Sequence, residues 1–232
     1  MSTYKRLPRG KERKQENFMH WSGHVFLWMK AHWISVVEVA AIGIIAFAVV
    51  VGTSAYARHR ADAANDAIYR AQKIAAGSEQ QISALRDVAK GYSRTFAGKE
   101  ARMALGEILF TRGDTAAAMA EYQALADSSR NQPMLHVAAL HRLANAQLAL
   151  GKPAEAAATY RKAAVDPSNP LALMSSLLAA TCLEQAGDMA GASELYRRII
   201  QDAREGDRAV RDASEGRLLW LQAKGLVGQS KS

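Results

Sequence analysis

An almost wholly apolar stretch lies near the start of the chain, from Ile34 to Ala57. A helix needs about 20 apolar residues to cross the hydrocarbon core of a bilayer, and this stretch contains a single charged residue, Glu38. It is longer than the roughly 7–15 apolar residues of a secretory signal and does not lie at the very N-terminus. We therefore expect an uncleaved transmembrane helix, with cleavage among the small residues 52–55 as the alternative.

Beyond this stretch, apolar positions recur at helical spacing. Ala64, Ile68 and Ala71 would share one face of a helix over residues 62–76. Alternation with a period of two, which would indicate strands, does not extend to a useful length. The pattern predicts an all-α chain in which a stalk helix continues the transmembrane helix.

Glycine, alanine and tyrosine recur together in the second half of the chain. Gly113, Gly151 and Gly187 are separated by 38 and 36 residues. A glycine after a helical run predicts a left-handed helix end, a small alanine allows two helices to approach closely, and a tyrosine fills the gap between units. The residues that follow the glycines by five and by nine positions are Ala118, Ala156 and Ala192, and Tyr122, Tyr160 and Tyr196. A period in the mid-thirties with two helices per unit resembles the tetratricopeptide repeat, an α-solenoid.

Helix starts are also marked in the sequence. Asp114 and Asp188 follow two of the repeat glycines and are expected to cap the next helices. Asn169 is expected to cap a helix whose first residue is Pro170. Ser78 begins a capping-box pattern, which predicts a helix from the next residue onward.

These signals divide the chain into five segments. The segment 82–96 resembles the second helix of a degenerate first repeat. The segment 207–224 is expected to form a capping helix, with Leu218, Leu219 and Trp220 packed inward. The predicted segments are a basic, aromatic-rich tail (1–33), a transmembrane helix (34–57), a stalk helix (58–76), a repeat domain with its capping helix (77–224) and a disordered tail (225–232).

The charge distribution predicts an orientation in the membrane. The chain carries a formal charge of +8, and the segment before residue 34 holds seven Lys and Arg residues against two Glu residues. Short basic segments tend to stay in the cytoplasm, whereas long domains cross the membrane largely regardless of charge. We therefore expect a cytoplasmic N-terminus. Its tail is expected either to be solvated and only set the topology, or to lie with its tryptophans along the inner surface of the bilayer. The basic flank that begins at Arg58 is the evidence against this orientation. The sequence shows no extended stripe of Lys and Arg with interleaved aromatic residues, so nucleic acid is not an expected partner.

The sequence offers no recognisable reaction centre. Cys182 is the only cysteine, which excludes an internal disulfide, and its apolar helical position predicts burial. His20 and His24 have a metal-compatible spacing without a third ligand, so we expect no metal site. Neither a phosphate-binding loop nor a catalytic triad is evident. The pattern predicts neither an enzyme nor a cofactor.

Partner binding is expected along the surface formed by the first helix of each repeat. Its mixed, partly apolar character suits an extended or helical polypeptide. Glu38 is expected either to contact a membrane helix of a partner or to reach the lipid headgroups. Aligning Leu105, Leu143 and Ala179 assigns to this surface Met103, Glu107 and Phe110, then His141, Asn145 and Leu148, then Leu177, Thr181 and Glu184.

The order of a basic tail, one anchor, a stalk helix and a short degenerate repeat array over residues 34–224 resembles the YfgM-like family, ancillary subunits of the bacterial Sec translocon. The resemblance implies a bacterial inner-membrane protein whose periplasmic domain acts as a scaffold or chaperone adaptor towards emerging envelope proteins. The alternative is an assembly or structural component of another cell-envelope or secretion complex. The sequence leaves self-association open.

Overall fold

A computed structural model describes residues 28–228, apart from the side chain of Val36. The predictions made for residues 1–27 and for residues 229–232 lie outside the described residues. Glu38 is exposed within the described chain, and its contact with a membrane helix stays a prediction. All regular structure within residues 28–228 is helical, which confirms the predicted all-α class. The α-helices after residue 32 are α1 (Trp33–Gln72), α2 (Glu79–Gly91), α3 (Phe96–Thr111), α4 (Thr115–Ser128), α5 (Pro133–Ala149), α6 (Pro153–Ala164), α7 (Ala172–Gln185), α8 (Met189–Asp202) and α9 (Arg208–Ala223).

The chain divides into two compact units, the first ending at His59 and the second beginning at Arg60. Within the first unit, the apolar side chains of α1 are not covered by the rest of the described chain. Val39 is 70% exposed and Phe47 is 71% exposed. The hydroxyl groups of Thr53 and Ser54 donate hydrogen bonds to backbone carbonyls of the preceding turn, at 2.7 and 2.9 Å, so they are satisfied without water. By length and composition, this helix is able to cross a membrane.

The second unit begins with the last turns of α1, which pack on α2 and α3. Ala64, Ile68 and Ala71 are buried there in one cluster with residues of both helices, including Leu85 and Leu105. The small alanines allow close helix packing, while the larger side chains fill the space between the helices.

Glycine ends the first helix of each repeat as predicted. Gly113, Gly151 and Gly187 have φ values of 86°, 71° and 87°, in the left-handed region that favours glycine. The residue after each glycine donates a backbone hydrogen bond of 2.9 Å to the carbonyl five residues earlier, the Schellman arrangement that satisfies carbonyls at a helix end. Gly225 repeats the same geometry after α9, with φ 69°. Gly225 follows Gly187 by 38 residues, so α9 occupies the position of the first helix of a further repeat.

The predicted helix caps are confirmed at three of the four positions. Asp114, Asp188 and Ser78 accept hydrogen bonds from the backbone N–H three residues later. The prediction for Asn169 and Pro170 was wrong, because α7 begins at Ala172. Asn169 is instead buried in the turn before α7, where its amide nitrogen donates to the Ala163 carbonyl at 2.8 Å.

The repeat alanines and tyrosines form the core between helices. Ala118, Ala156 and Ala192 are fully buried, and Tyr122, Tyr160 and Tyr196 are at most 2% exposed. The Tyr122 ring lies directly over Gly106, where an added Cβ atom would stand 2.6 Å from Tyr122 Cε1. Cys182 is buried as predicted, and burial raises the pKa of its thiol to about 11.

The capping helix α9 packs inward through a face that matches the prediction only at Leu218. Leu221 is fully buried and Leu218 packs against the same cluster. The inward placement of Leu219 and Trp220 was wrong, because these side chains are 64% and 44% exposed. The Arg217 guanidinium lies 5.0 Å from the centre of the Trp220 ring, and this cation–π contact covers part of the exposed indole.

Candidate partner-binding groove

The residues assigned to the predicted groove surface differ in how far they reach the solvent. Glu107, Phe110 and Asn145 are exposed on α3 and α5, and Phe110 remains 37% exposed despite its size. Met103 and Leu148 are half-buried and pack mainly against the core clusters beneath them. The groove surface is therefore polar and aromatic along its exposed edge and aliphatic towards its floor.

Three of the predicted residues, Glu107, Phe110 and Asn145, come together between α3 and α5. Phe110 and Asn145 line a pocket of about 220 Å³ with Tyr122 and Arg142. Arg142 also forms an ion pair of 2.9 Å with Glu107, which ties the exposed faces of the two helices together. Both charged side chains are about half exposed, so the pair adds little stability but leaves a donor and an acceptor at the pocket rim. We call these five residues the α3–α5 pocket.

Tyr122 and Arg142 were not among the predicted residues. Tyr122 was assigned to the core, and its ring does lie in the core, although part of it also forms a wall of the pocket. Burial, followed by the nearby Glu107 carboxylate, raises the pKa of Tyr122 to about 12. Arg142 is a basic residue adjacent to a predicted groove position, and Glu107 supplies the opposite charge on α3. That charge complementarity was the available sequence signal.

A second pocket lies on the other side of Glu107. It has a volume of about 420 Å³ and a largely apolar floor that includes Leu85, Ala104 and Ile108. Glu107 and Arg112 contribute charged groups to its wall. Because Glu107 lines this pocket and pairs with Arg142 of the α3–α5 pocket, the two depressions flank a single ion pair.

His141 connects the groove surface to the next repeat. Its Nε2 atom lies 2.8 Å from Ser175 Oγ on α7, and its ring packs edge-on against Tyr160 with ring centres 5.2 Å apart. Desolvation lowers the pKa of His141. Tyr160 in turn donates a hydrogen bond of 2.6 Å to Asn145 Oδ1. Burial raises the pKa of the Tyr160 hydroxyl to about 12.

A serine beside a histidine is also the first requirement of a nucleophilic site. Ser175, however, is fully buried. Its Oγ atom donates to the Leu171 carbonyl at 3.1 Å and accepts a hydrogen bond of 3.0 Å from Asn169 Nδ2. The pair therefore fastens α5 to the start of α7, and no substrate reaches the hydroxyl.

The three residues predicted on α7 contribute less to the exposed surface. Leu177 packs against the cluster beneath α9, and the Thr181 hydroxyl donates to the Leu178 carbonyl at 2.8 Å. Glu184 is 8% exposed, and its carboxylate is bonded to Tyr196 and Arg217. A partner bound at the groove surface would therefore meet α3 and α5 before it met α7.

Comparison with known families identifies the repeat. A family model described as a tetratricopeptide repeat-like domain matches residues 27–166, and a second, described as a tetratricopeptide repeat, matches residues 141–208. The first match covers more than half of the chain. The chain belongs to the tetratricopeptide repeat-like family. No curated protein matches it at a significant level.

Solved structures agree with this fold. Nearly identical TPR-like repeats attributed to a kinesin light chain from Podosopora anserina superpose with a TM-score of 0.51 at 17% identity. The match covers 73% of this chain and 87% of that chain. A single-residue variant of the same chain gives a TM-score of 0.50 at the same identity. The predicted helical-repeat solenoid is therefore confirmed at the level of fold. Tetratricopeptide domains generally bind protein partners, and the fold is typically a non-catalytic interaction scaffold.

Proposed function

We propose that this tetratricopeptide protein is a membrane-tethered interaction module. Helix α1 anchors it in a bacterial inner membrane, and the groove surface faces the periplasm as a scaffold or chaperone adaptor at the Sec translocon. It holds polypeptide partners without chemistry of its own.

The observation that carries the membrane assignment is the exposed apolar helix. The most apolar 18-residue window of α1 is not buried by any other part of the described chain. Soluble proteins rarely expose continuous apolar patches larger than a few hundred Å², and a bilayer removes such a surface from water. The family match supports treating this helix as part of the domain, because it begins at residue 27 and includes the whole apolar stretch.

Orientation follows from charge. The basic tail favours a cytoplasmic N-terminus, which leaves the repeat domain on the periplasmic side. Glu38, four residues after the start of the apolar stretch, is proposed to contact a membrane helix of the partner complex.

Membrane extraction and thiol labelling test this part of the proposal. Cys182 is buried, so a single exposed cysteine, Gln201→Cys on α8 or Ser2→Cys in the tail, supplies the accessible thiol. We expect the protein to resist carbonate extraction and an impermeant maleimide to label position 201 but not position 2 in cells with a permeabilised outer membrane. Extraction by carbonate would contradict the anchor, and labelling at position 2 alone would contradict the orientation.

The α3–α5 pocket supports the choice of a polypeptide partner. Phe110 offers an aromatic surface, Asn145 an amide, and Glu107 and Arg142 opposite charges, all within one patch. Peptide grooves combine apolar pockets with polar groups in this way. The triple variant Phe110→Ala, His141→Ala and Asn145→Ala should lose partner capture while it remains folded. Unchanged capture by a folded triple variant would refute the groove assignment.

The runner-up is an assembly component of another envelope complex, which would use the same groove for one fixed partner. The composition of the captured complex distinguishes the two. An adaptor yields translocon subunits with many secreted polypeptides, whereas an assembly component yields one envelope protein at a constant ratio.

A further inference from the structure

The connection between α2 and α3 presents basic and aromatic side chains to the solvent. Lys90 and Arg94 are exposed and form no ion pair within residues 28–228. Phe96, the first residue of α3, is 63% exposed. Single exposed apolar residues are common, so Phe96 is informative only through its position beside these two cations. We call Lys90, Arg94 and Phe96 the α2–α3 corner.

The backbone of this corner is held firmly. Arg60 Nη2 donates a hydrogen bond of 2.6 Å to the Gly91 carbonyl, and its guanidinium lies 5.7 Å from the centre of the Tyr92 ring. Thr95 caps α3 by accepting from the Gly98 N–H at 3.1 Å. A Cβ atom on Gly98 would collide with the Tyr92 carbonyl oxygen, so only glycine permits this close turn. The exposed side chains are therefore presented from a fixed backbone.

A short length of chain connects the apolar stretch to Arg60, which contacts the connection between α2 and α3. Ala57, the last residue of that stretch, is only three residues before Arg60. Three residues of chain span at most about 11 Å, and the Arg60 side chain contacts Gly91 and Tyr92, which lie between Lys90 and Arg94 in the sequence. If Ala57 lies at the membrane boundary, the α2–α3 corner lies within reach of the lipid headgroups.

We propose that the α2–α3 corner is a second membrane contact, which binds the headgroups of anionic phospholipids. This inference rests on the proposed function, since it requires α1 to be in a bilayer. Lys and Arg near an anionic surface are attracted to it, and an aromatic ring settles at headgroup depth. The acidic neighbours Asp87 and Glu100 are outnumbered by Lys90, Arg94 and the adjacent exposed Arg86. The repeat domain would then contact the membrane at two places, through α1 in the bilayer and through the α2–α3 corner on the headgroups.

Depth-dependent fluorescence quenching tests the proposal on the full chain. Phe96→Cys, labelled with a fluorophore, is reconstituted into phosphatidylcholine vesicles with or without phosphatidylglycerol, and a quencher is carried on the lipid headgroups. The matched control is Thr111→Cys at the other end of α3, about 22 Å away along the same helix. The unsubstituted protein corrects for any labelling of the buried Cys182.

We expect the headgroup quencher to act more strongly on position 96 than on position 111, and its effect at position 96 to increase with phosphatidylglycerol. The double reversal Lys90→Glu and Arg94→Glu should abolish that increase. The reversal of two exposed lysines outside the corner, Lys152→Glu and Lys224→Glu, should preserve it. Equal quenching at both positions, or no dependence on phosphatidylglycerol, would overturn the proposal.

Vesicle flotation separates the two possible failures. A protein that floats with vesicles but shows equal quenching at both positions retains its anchor and lacks the second contact. A protein that does not float refutes the anchor and, with it, this inference.

Discussion

Tyr196 donates a hydrogen bond of 2.6 Å to Oε1 of Glu184, and Arg217 of α9 pairs with the same carboxylate. The side chain of Glu184 is 6% exposed, whereas that of Arg217 is 46% exposed. A buried carboxylate is costly unless it is paired and hydrogen-bonded. The repeat tyrosine and the capping helix are therefore joined through one charge, which fastens α9 to the last complete repeat.

Removal of Arg217 should loosen the capping helix. We expect Arg217→Ala to lower the free energy of unfolding by about 2 kcal/mol, between the values typical of exposed and of buried ion pairs. Hydrogen exchange of the α9 amides should accelerate more than that of α3. Urea denaturation and hydrogen exchange measure the two effects. Arg198→Ala, which removes an exposed ion pair with Glu194 on α8, is the control and should cost less than about 1 kcal/mol.

The double variant Arg217→Ala with Glu184→Gln tests the cause. Because glutamine carries no charge, it should recover part of the stability that Arg217→Ala loses. If the double variant were as unstable as the sum of the two single variants, the buried charge would not be the reason for the effect.

Two glycines in helices allow a matched test of packing. Gly106→Ala places a methyl group against Tyr122 and should destabilise the protein by about 1–3 kcal/mol, the usual cost of overpacking. Gly216→Ala in α9 meets no atom within 4 Å and should stabilise it by roughly 0.5–1 kcal/mol, because alanine is the better helix former. Thermal or urea unfolding of both variants checks the difference. Equal effects would mean that Tyr122 can move away from Gly106 at no cost.

His141 should make stability depend on pH. Desolvation lowers its pKa in the folded state from the ordinary value of 6.5, so between these two values the unfolded chain binds more protons than the folded one. This contribution is fully present above pH 6.5 and is lost as the pH falls towards the lowered value. His141→Gln keeps a hydrogen-bonding group near Ser175 and should remove the dependence.

Urea unfolding of the wild type and of His141→Gln at about pH 7.5 and about pH 5.5, on either side of the ordinary histidine pKa, measures the difference directly. The carboxylates titrate in both proteins, so the difference between the two proteins removes their contribution to the pH dependence of the free energy of unfolding. Parallel pH dependences would show that protonation of His141 does not oppose folding.

The repeat framework could be predicted because its signals are local. Gly113, Gly151 and Gly187 must adopt a backbone conformation that few other residues tolerate, and Asp114 and Asp188 cap the helix that follows within three residues. Such constraints can be recognised over a short stretch of chain. The exception is Asn169, whose capping pattern is equally local but whose side chain bonds to Ala163 and Ser175 within the fold.

The exposed surface was harder to predict because it depends on pairs of distant residues. Glu184 occupies the repeat position of Phe110 and Leu148, yet it is withdrawn from the surface by Arg217, 33 residues later. Arg142 enters the α3–α5 pocket through its pairing with Glu107 on another helix. Helical periodicity alone does not specify either partner. The inward face of α9 was likewise not specified by periodicity alone, since Leu221 is buried whereas Trp220 is 44% exposed beside Arg217.

The most direct test of the central claim is photocrosslinking from the groove in native membranes. A photoreactive amino acid at Phe110, which lines the α3–α5 pocket, is compared with one at Val165, which is 79% exposed at the end of α6. We predict that position 110 captures translocon subunits together with secreted polypeptides and that position 165 does not. Capture of the same proteins from both positions, or none from position 110, would contradict a partner-binding groove on α3 and α5.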